Sequence, residues 1–544
     1  MDARELSTKA VLCAVSKQYQ SLRNFNWTDI INELVIKQML LAVALPSGKI
    51  GNTKATEGLV PVIGTVYGML MKQRFQEFSA VQKVISISLG NEQAHQKVYD
   101  RLQPLGVSLS HQGMLETMSA ISNSFKTELT ECVKQGKTFR IVGDNVNFHV
   151  GEQKYAEVVD ILDSYQELCE TTYEAAEKPL QEVHIGGDQL TRERFSGAKR
   201  LRAAALSEPE RFESLFPITF ELFHLQMTIL TTFYQILYDT QNTGSFTLHI
   251  QKIRLLRKGA DGNDAKNHYD SCRELAVSVI KAYAIEAACQ QFGLPDTEVV
   301  PENIPEYQNM SNEEIKLWLS VGVMNGNYVE NTNTDKINCY GKTVIELGLV
   351  YMELCDIVKA PSRDRLLCLM KYILLILKGH NNNSKYALEL LRFLSQQLVL
   401  LSGRAANEVC YGLFVNTGKS IIPADMQMEH LVRLTKCRLR TRCSNVTDSS
   451  LAKRSSAFFG MDKISKNFDK ETSSIKRSQK HKRFSFIEDE QKIIKELRVV
   501  RPFLNIPGRH TETLKMAKNP ITKLNMEALI KWIEHYKLRF YYEL

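Results

Sequence analysis

The chain has 544 residues, of which 44% are hydrophobic and 24% are charged, with a formal net charge of +8. This length and composition are typical of a globular protein with several domains. The most apolar stretch, "LLCLMKYILLILKGH", contains Lys371 and is shorter than the roughly 20 residues of a membrane span, so we expect no membrane partner. The eleven cysteines are scattered without a C-x-x-C pair, which indicates reduced thiols and no structural zinc site.

The order of periodic segments predicts five regions. Residues 1–130 carry apolar residues at helical spacing and predict a helical N-terminal domain. Residues 131–240 contain two short strand patterns, "FRIVGD" and "VHIGGD", and form the first part of an α/β core. Residues 241–380 are mostly helical and interrupt this core, whose last part spans residues 381–436. From "FPITFELF" onward the pattern already reads as helix.

Residues 437–544 predict a basic, partly disordered tail. From residue 431 to the end there are 26 Lys and Arg against 12 Asp and Glu, a net charge of +14. The stretch from about 437 to 490 is rich in Ser, Lys and Arg and reads as a linker, whereas "NMEALIKWIEHYKLRFYYEL" reads as one amphipathic helix. A neutral body with a basic tail favours nucleic acid as a partner, and a solubilising tail is the alternative. The segment "SIKRSQKHKRFSF" resembles a nuclear localisation signal, so we expect a nuclear protein, otherwise a cytoplasmic one.

Two acids follow the two predicted strands. Asp144 and Asp188 each come directly after an apolar run and a glycine, which lets the chain leave the sheet sharply. Acids at the ends of neighbouring strands can hold Mg²⁺ through oxygen ligands, and a pair of such ions serves phosphodiester chemistry. Each Asp taken alone is equally typical of a turn at a strand end.

Two further segments carry candidate site residues. "FELFHLQM" places Glu221 and His224 at i, i+3 on one face of a predicted helix, where they can contact a metal ion or a phosphate. "SKYALELLRFL" places Glu389 on an otherwise apolar helix, and a carboxylate there needs a partner, either a metal ion or an arginine. A buried histidine and a solvent-facing glutamate remain the alternatives.

A cluster of basic residues follows Asp188. Lys199, Arg200 and Arg202 are candidates for binding the phosphates of a nucleic acid, and a solvated helix face is the alternative. "GLFVNTGKS" only looks like a phosphate-binding P-loop. Its glycines, Gly412 and Gly418, are one residue too far apart, and no helix is expected directly after it.

Several segments together resemble an uncharacterised family of transposon-derived proteins found in fungi and invertebrates. They are "GDNVNF", "GGDQLTRERFSGAKRLR", "LFHLQM", "HYDSCREL", "SRDRLLCLMKYILLIL", "SKYALELLRFL" and "IIPADMQMEHLVRL", in this order over about residues 135–436. The layout of that family is in turn similar to ribonuclease-H-like transposases of the hAT and Mutator-like kind, an analogy at the level of the fold.

The resemblance implies a role for each candidate. Asp144 and Asp188 match the first two acids of such transposases, Glu221 and His224 match an x-x-His motif, and Glu389 matches the late Glu after a helical insertion. Asp364, or Glu429 with its neighbour His430, is the alternative third acid. The stretch between Asp144 and Asp188 is short for this fold.

The sequence thus predicts an α/β, mostly helical fold with a ribonuclease-H-like core. The function implied is metal-dependent cleavage and strand transfer of DNA, with two Mg²⁺ or Mn²⁺ ions held by Asp144, Asp188 and Glu389, and with His224 beside them. A catalytically inactive, host-captured DNA-binding protein and a helical protein-interaction scaffold are the alternatives. The sequence is also compatible with a homo-oligomer.

Overall fold

The computed structural model describes residues 53–76, 79–92, 94–143, 155–294, 311, 314, 335–440, 448–472, 486–504, 506, 509 and 511–542. Within them the protein is mostly helical with a small sheet. The helices are α1 Thr53–Arg74, α2 Ala80–Asn91, α3 Gln96–Leu102, α4 His111–Lys134, α5 Tyr155–Ala175, α6 Gln189–Leu201, α7 Leu222–Leu237, α8 Leu248–Arg254, α9 Tyr269–Phe292, α10 Lys336–Lys359, α11 Arg363–His380, α12 Lys385–Ser395, α13 Gly403–Gly412, α14 Ala424–Arg440, α15 Asp448–Thr472, α16 Phe486–Val500 and α17 Met526–Tyr542.

The central sheet is parallel and has three short strands in the order β1-β2-β3. They are β1 Ile141–Gly143, β2 Ile185–Gly187 and β3 Ile218–Phe220. Helices α5 and α6 connect them, because parallel neighbours need a crossover. β3 was expected to be helical, but its β-branched Ile218 and Thr219 are buried and pair with β2, a setting that favours extended backbone.

Helices cover both faces of this sheet. On one face α5 and α6 enclose a core that includes Leu162, Ile185 and Phe195, and α12 contacts β3 through the Phe220–Phe393 ring pair. On the other face α14 contacts β1. A hairpin of β4 Phe414–Asn416 and β5 Ile421–Pro423 precedes α14.

Helix α7 packs against the helices α9, α10 and α11, which lie between the sheet and α12 in the sequence. A single large apolar core joins α7, α9, α10 and α11. Buried tyrosines tie these helices to each other's backbone: the Tyr234 hydroxyl donates to the Cys272 carbonyl at 2.8 Å, and the Tyr340 hydroxyl donates to the Leu237 carbonyl at 3.0 Å. The described part of residues 241–380 is helical apart from its connecting turns.

The described segments of the basic C-terminal region are largely helical, as α15, α16 and α17. Its helix α15 packs against α2 and α4, where Phe458, Met461 and Ile464 complete the core of the N-terminal helices. Helix α16 packs against α9 and buries Leu497 in the large core. These segments fold because apolar residues recur at helical spacing among the lysines and arginines. The amphipathic helix expected near the end is α17.

Candidate active site

The carboxyl ends of the parallel strands carry acids in matching register. Gly143 pairs with Gly187 and Gly187 pairs with Phe220, so Asp188 and Glu221 are the next residues after paired strand ends. Ligands of α/β sheets bind at this edge. Asp144 follows Gly143 in the sequence, but it lies outside the described residues.

Asp188 caps helix α6. Its Oδ1 accepts a hydrogen bond from the Thr191 backbone N–H at 2.6 Å, and the residue is only partly buried. An aspartate at this position stabilises a helix by satisfying one of its free N–H groups. The glycine before it is needed for space, because a Cβ on Gly187 would lie 2.7 Å from the Thr191 Cγ2. Asp188 is thus both the turn residue at the end of its strand and a carboxylate that is partly exposed.

Glu221 and His224 do not share one face of a helix. Glu221 continues the alternation of β3, is fully buried and accepts a hydrogen bond from the Arg140 guanidinium, which also donates to the Gly412 carbonyl. A Cβ on Gly186 would overlap the Glu221 carboxylate, so this glycine makes room for the pair. Burial raises the pKa of Glu221 to about 8, against the opposing charge of Arg140.

His224 lies in the first turn of α7 and is held by Asp425. The Asp425 carboxylate accepts from the backbone N–H groups of Phe223 and His224, each at 3.0 Å, and its Oδ2 lies 3.0 Å from the His224 Nδ1. The Nε2 of His224 lies 3.7 Å from the Glu429 Oε1. Asp425 of α14 thus caps α7, a helix far away in the sequence.

Glu389 lies beside the helix that Asp188 caps. Its carboxylate is 3% exposed and forms ion pairs with Arg192 of α6 at 2.6 Å and with Arg392 one turn later at 3.0 Å. Burial raises the pKa of Glu389, and the two guanidinium groups oppose that shift. The sequence left either a metal ion or an arginine as the partner of Glu389, and the structure shows two arginines.

Tyr386 connects the Asp188 region to the His224 region. Burial raises the pKa of Tyr386, and the negative charges of Asp188 and Asp425 raise it further, so its hydroxyl stays protonated. The same hydroxyl interacts with Thr228, one turn after His224. One tyrosine of α12 is therefore close to both acids.

A groove lies between α6, α12 and α17, and we call it the basic groove. Its volume is about 910 Å³, and its charged lining consists of five basic and two acidic side chains: Arg192, Lys199, Arg200, Arg211, Arg392, Glu182 and Glu213. Burial lowers the pKa of Lys199 to about 8, and its ammonium group donates to the Leu215 carbonyl at 3.1 Å. Two of the three predicted phosphate-binding residues thus line one groove.

The other candidates lie elsewhere. Arg202 forms a surface ion pair with Asp163 at 3.4 Å. Asp364 is exposed in the first turn of α11, and His430 is exposed on α14. The segment that looked like a P-loop forms the β4–β5 hairpin. Most of the candidate nuclear localisation signal lies outside the described residues.

No three His, Cys, Asp or Glu side chains gather closely enough to hold a metal ion in the part of the chain that the structure describes. That part excludes Asp144. Eight cysteines within the described residues are free, and no described helix is long and apolar enough to cross a membrane.

Sequence reasoning did not single out three of the residues that organise this site. Arg140 and Asp425 act through partners that are distant in the sequence, which a single sequence does not show, whereas the i, i+3 spacing of Glu389 and Arg392 could have indicated their pair. Asp425 reads locally as an ordinary acid in the first turn of its own helix, and its carboxylate does accept from the Met426 N–H at 3.1 Å. Its bonds to α7 depend on the folded chain.

The fold and the site define a mostly helical α/β protein with acids at the end of a small parallel sheet. Residues 147–481 match a family of unknown function, DUF6589, and because this match covers more than half of the chain, the protein belongs to that family. The match begins after Asp144 and includes Asp188, His224, Glu389 and Asp425. No curated protein and no solved structure matches the chain.

Proposed function

We propose that the protein is a transposase-derived enzyme that cleaves and transfers DNA strands with the help of divalent metal ions, on a ribonuclease-H-like core. One observation carries this proposal. Helix α12, which bears Glu389, packs against α6, the helix that Asp188 caps, although a long helical region separates them in the sequence. A late acid on a helix that packs against the one following a strand-end Asp is compatible with the arrangement that such an enzyme requires.

The contacts between α6 and α12 position the two acids. Lys385 pairs with Glu193 at 2.9 Å, and Arg192 pairs with Glu389 at 2.6 Å, so two successive turns of α12 are fixed on α6. The buried pair between Arg192 and Glu389 favours one relative arrangement of the two helices, and the Lys385–Glu193 pair lies at the surface. The acids therefore sit on rigid elements, which is what precise positioning of a phosphodiester needs.

The donor set suits Mg²⁺ or Mn²⁺ in part. Asp188 is a partly exposed carboxylate at a strand end and fits a hard cation, and Asp144 and Glu389 would be its companions. Glu389 can bind a metal ion only if Arg192 and Arg392 pair with another anion instead of its carboxylate. When bound, two ions supply an activated water or 3′-hydroxyl and neutralise the leaving oxygen.

The other candidate residues bind the DNA or position a neighbouring side chain. Lys199 and Arg200 bind backbone phosphates in the basic groove, since the groove carries an excess of basic side chains. Asp425 orients the His224 ring beside the site, as its bond to Nδ1 fixes the ring position. The proposed substrate is DNA, which agrees with a nuclear location.

The experiment is a cleavage assay on DNA with added Mg²⁺ or Mn²⁺. We expect Asp188→Asn to abolish cleavage while DNA binding is kept, because the amide removes a negative oxygen ligand and leaves the helix cap. Asp270→Asn, at an acid that is 80% exposed on α9, is the control and should cleave normally. Undiminished cleavage by Asp188→Asn would remove Asp188 from the mechanism.

A second candidate is a DNA-binding protein that has lost the reaction. The observation that favours it is the pairing of Glu389 with both Arg192 and Arg392 in a buried position. If this pairing is permanent, Glu389 is structural and no third ligand is available from α12. Wild-type protein that binds DNA but does not cleave it with either metal ion would select this candidate.

A further inference from the structure

The basic groove has aromatic side chains as well as charges. Phe216 is partly buried in its lining, and Phe540 of α17 lies against Arg392, with 4.7 Å from the guanidinium carbon to the ring centre. A positively charged groove with aromatic side chains is the feature by which proteins hold single-stranded nucleic acid, because every base has a face that can stack.

The size of the groove also favours a single strand. Its volume of about 910 Å³ is within the range of pockets that enclose small molecules. The bases of a duplex are stacked on each other and paired, so they do not offer a face to Phe216. An unpaired strand offers both its phosphates and its bases.

The groove reaches the candidate site. Arg192 and Arg392 line it, and both form ion pairs with Glu389. A phosphate in this part of the groove would give these guanidinium groups a second anion close to Glu389. Binding of a DNA strand would therefore free the Glu389 carboxylate from Arg192 and Arg392, because the same two guanidinium groups would then bind the phosphate.

We propose that the basic groove binds an unpaired segment of DNA, with phosphates on Lys199, Arg200 and Arg211 and a base stacked on Phe216. This inference rests on the proposed function, since it takes DNA as the partner, and it specifies which form of DNA the site selects. The segment bound would be the unpaired strand next to a cut.

The test is fluorescence anisotropy with the full chain in EDTA, so that cleavage does not contribute. The probes are a 12-nucleotide single strand of DNA and the duplex of the same sequence. We expect the single strand to bind at least tenfold more tightly. Phe216→Ala should weaken single-strand binding about tenfold, the effect of losing one stacked base, whereas Phe216→Tyr keeps the ring and should bind nearly as wild type.

The charges are tested by salt dependence. Lys199→Gln should reduce the slope of log affinity against log salt by about 0.7, the value for one phosphate contact to a single strand. Two controls are matched to these changes: Tyr372→Ala, at an exposed aromatic on α11, and Arg404→Gln, at an exposed arginine on α13. Neither residue lines the groove, and neither change should alter binding.

Two results would overturn the inference. One is equal or tighter binding of the duplex, and the other is unchanged single-strand binding in Phe216→Ala with its fold intact by circular dichroism. Failure of the proposed function is a separate result, because a protein that prefers the single strand in EDTA but never cleaves DNA loses only the enzymatic role.

Discussion

The Nε of Arg192 lies 2.6 Å from the Oε2 of Glu389, and this contact joins the helix capped by Asp188 to the helix that carries the late acid. Arg392, one turn later on α12, binds the same carboxylate at 3.0 Å. Glu389 therefore has two roles that can be measured separately: it stabilises the fold, and it is a proposed metal ligand.

The first prediction concerns the folding contribution of Glu389. Glu389→Gln should lower the free energy of unfolding by roughly 3 kcal/mol, because it leaves two buried guanidinium groups without their carboxylate. Urea denaturation in EDTA measures the free energy of unfolding without a contribution from bound metal ions. Glu193→Gln is the matched control at the same pair of helices: its pair with Lys385 is exposed, so the change should be under about 1 kcal/mol. A Glu389→Gln protein as stable as the wild type would show that the ion pairs do not hold α12.

The second prediction concerns the cap that Asp425 provides for α7. Asp425→Ala should lower the free energy of unfolding by about 1–3 kcal/mol, since two backbone N–H groups in the first turn of α7 and the His224 ring lose their acceptor. The measurement is again urea denaturation. Glu429→Gln is the control, because this residue is 40% exposed and 3.7 Å from the ring. If Asp425→Ala is as stable as Glu429→Gln, the contacts of Asp425 with α7 do not stabilise the protein.

The third prediction is a dependence of stability on pH that comes from Glu221. Its folded-state pKa of about 8 lies above the ordinary value of 4.5, so its contribution is fully present below about pH 4.5 and is lost as pH rises through 8. We expect the free energy of unfolding to fall over this range by on the order of 5 kcal/mol. Glu221→Gln cannot titrate and should flatten the profile. An identical pH profile in the two proteins would contradict a raised pKa.

The fourth prediction concerns the packing of α15 on the N-terminal helices. Met461 is 1% exposed and contacts a core built from α2, α3 and α4. Met461→Ala should destabilise this part of the protein by about 2–5 kcal/mol, because it leaves a cavity. Hydrogen exchange should then show faster exchange in α2 and α4 and unchanged exchange in α7. Lys463→Ala, at an exposed position of the same helix, is the control and should leave exchange in all three helices unchanged.

Part of this architecture follows from local sequence patterns, and part does not. The glycine–aspartate ends of two strands and the amphipathic helix α17 are visible because neighbouring residues determine them. β3 is not visible, since three residues become a strand only by pairing with β2. Because β3 is not recognised in the sequence, Glu221 is predicted on a helix face, whereas in the structure it directly follows β3.

The C-terminal region shows a second limit of sequence reasoning. Its charge suggested a solvated tail, but Phe458, Met461 and Ile464 have the spacing of a buried helix face. Their partners on α2 and α4 lie hundreds of positions earlier in the chain. Composition describes the average of a segment, whereas burial depends on a few positions and on a surface elsewhere.

The central claim is that Asp188 binds a catalytic metal ion, and metal-dependent rescue tests it most directly. Asp188→Cys replaces a carboxylate that suits Mg²⁺ with a thiolate, which suits softer metals. We predict that this variant cleaves DNA with Mn²⁺ and is inactive with Mg²⁺, while the wild type is active with both. Equal activity of the variant with both ions, or a wild type inactive with both, would contradict the account.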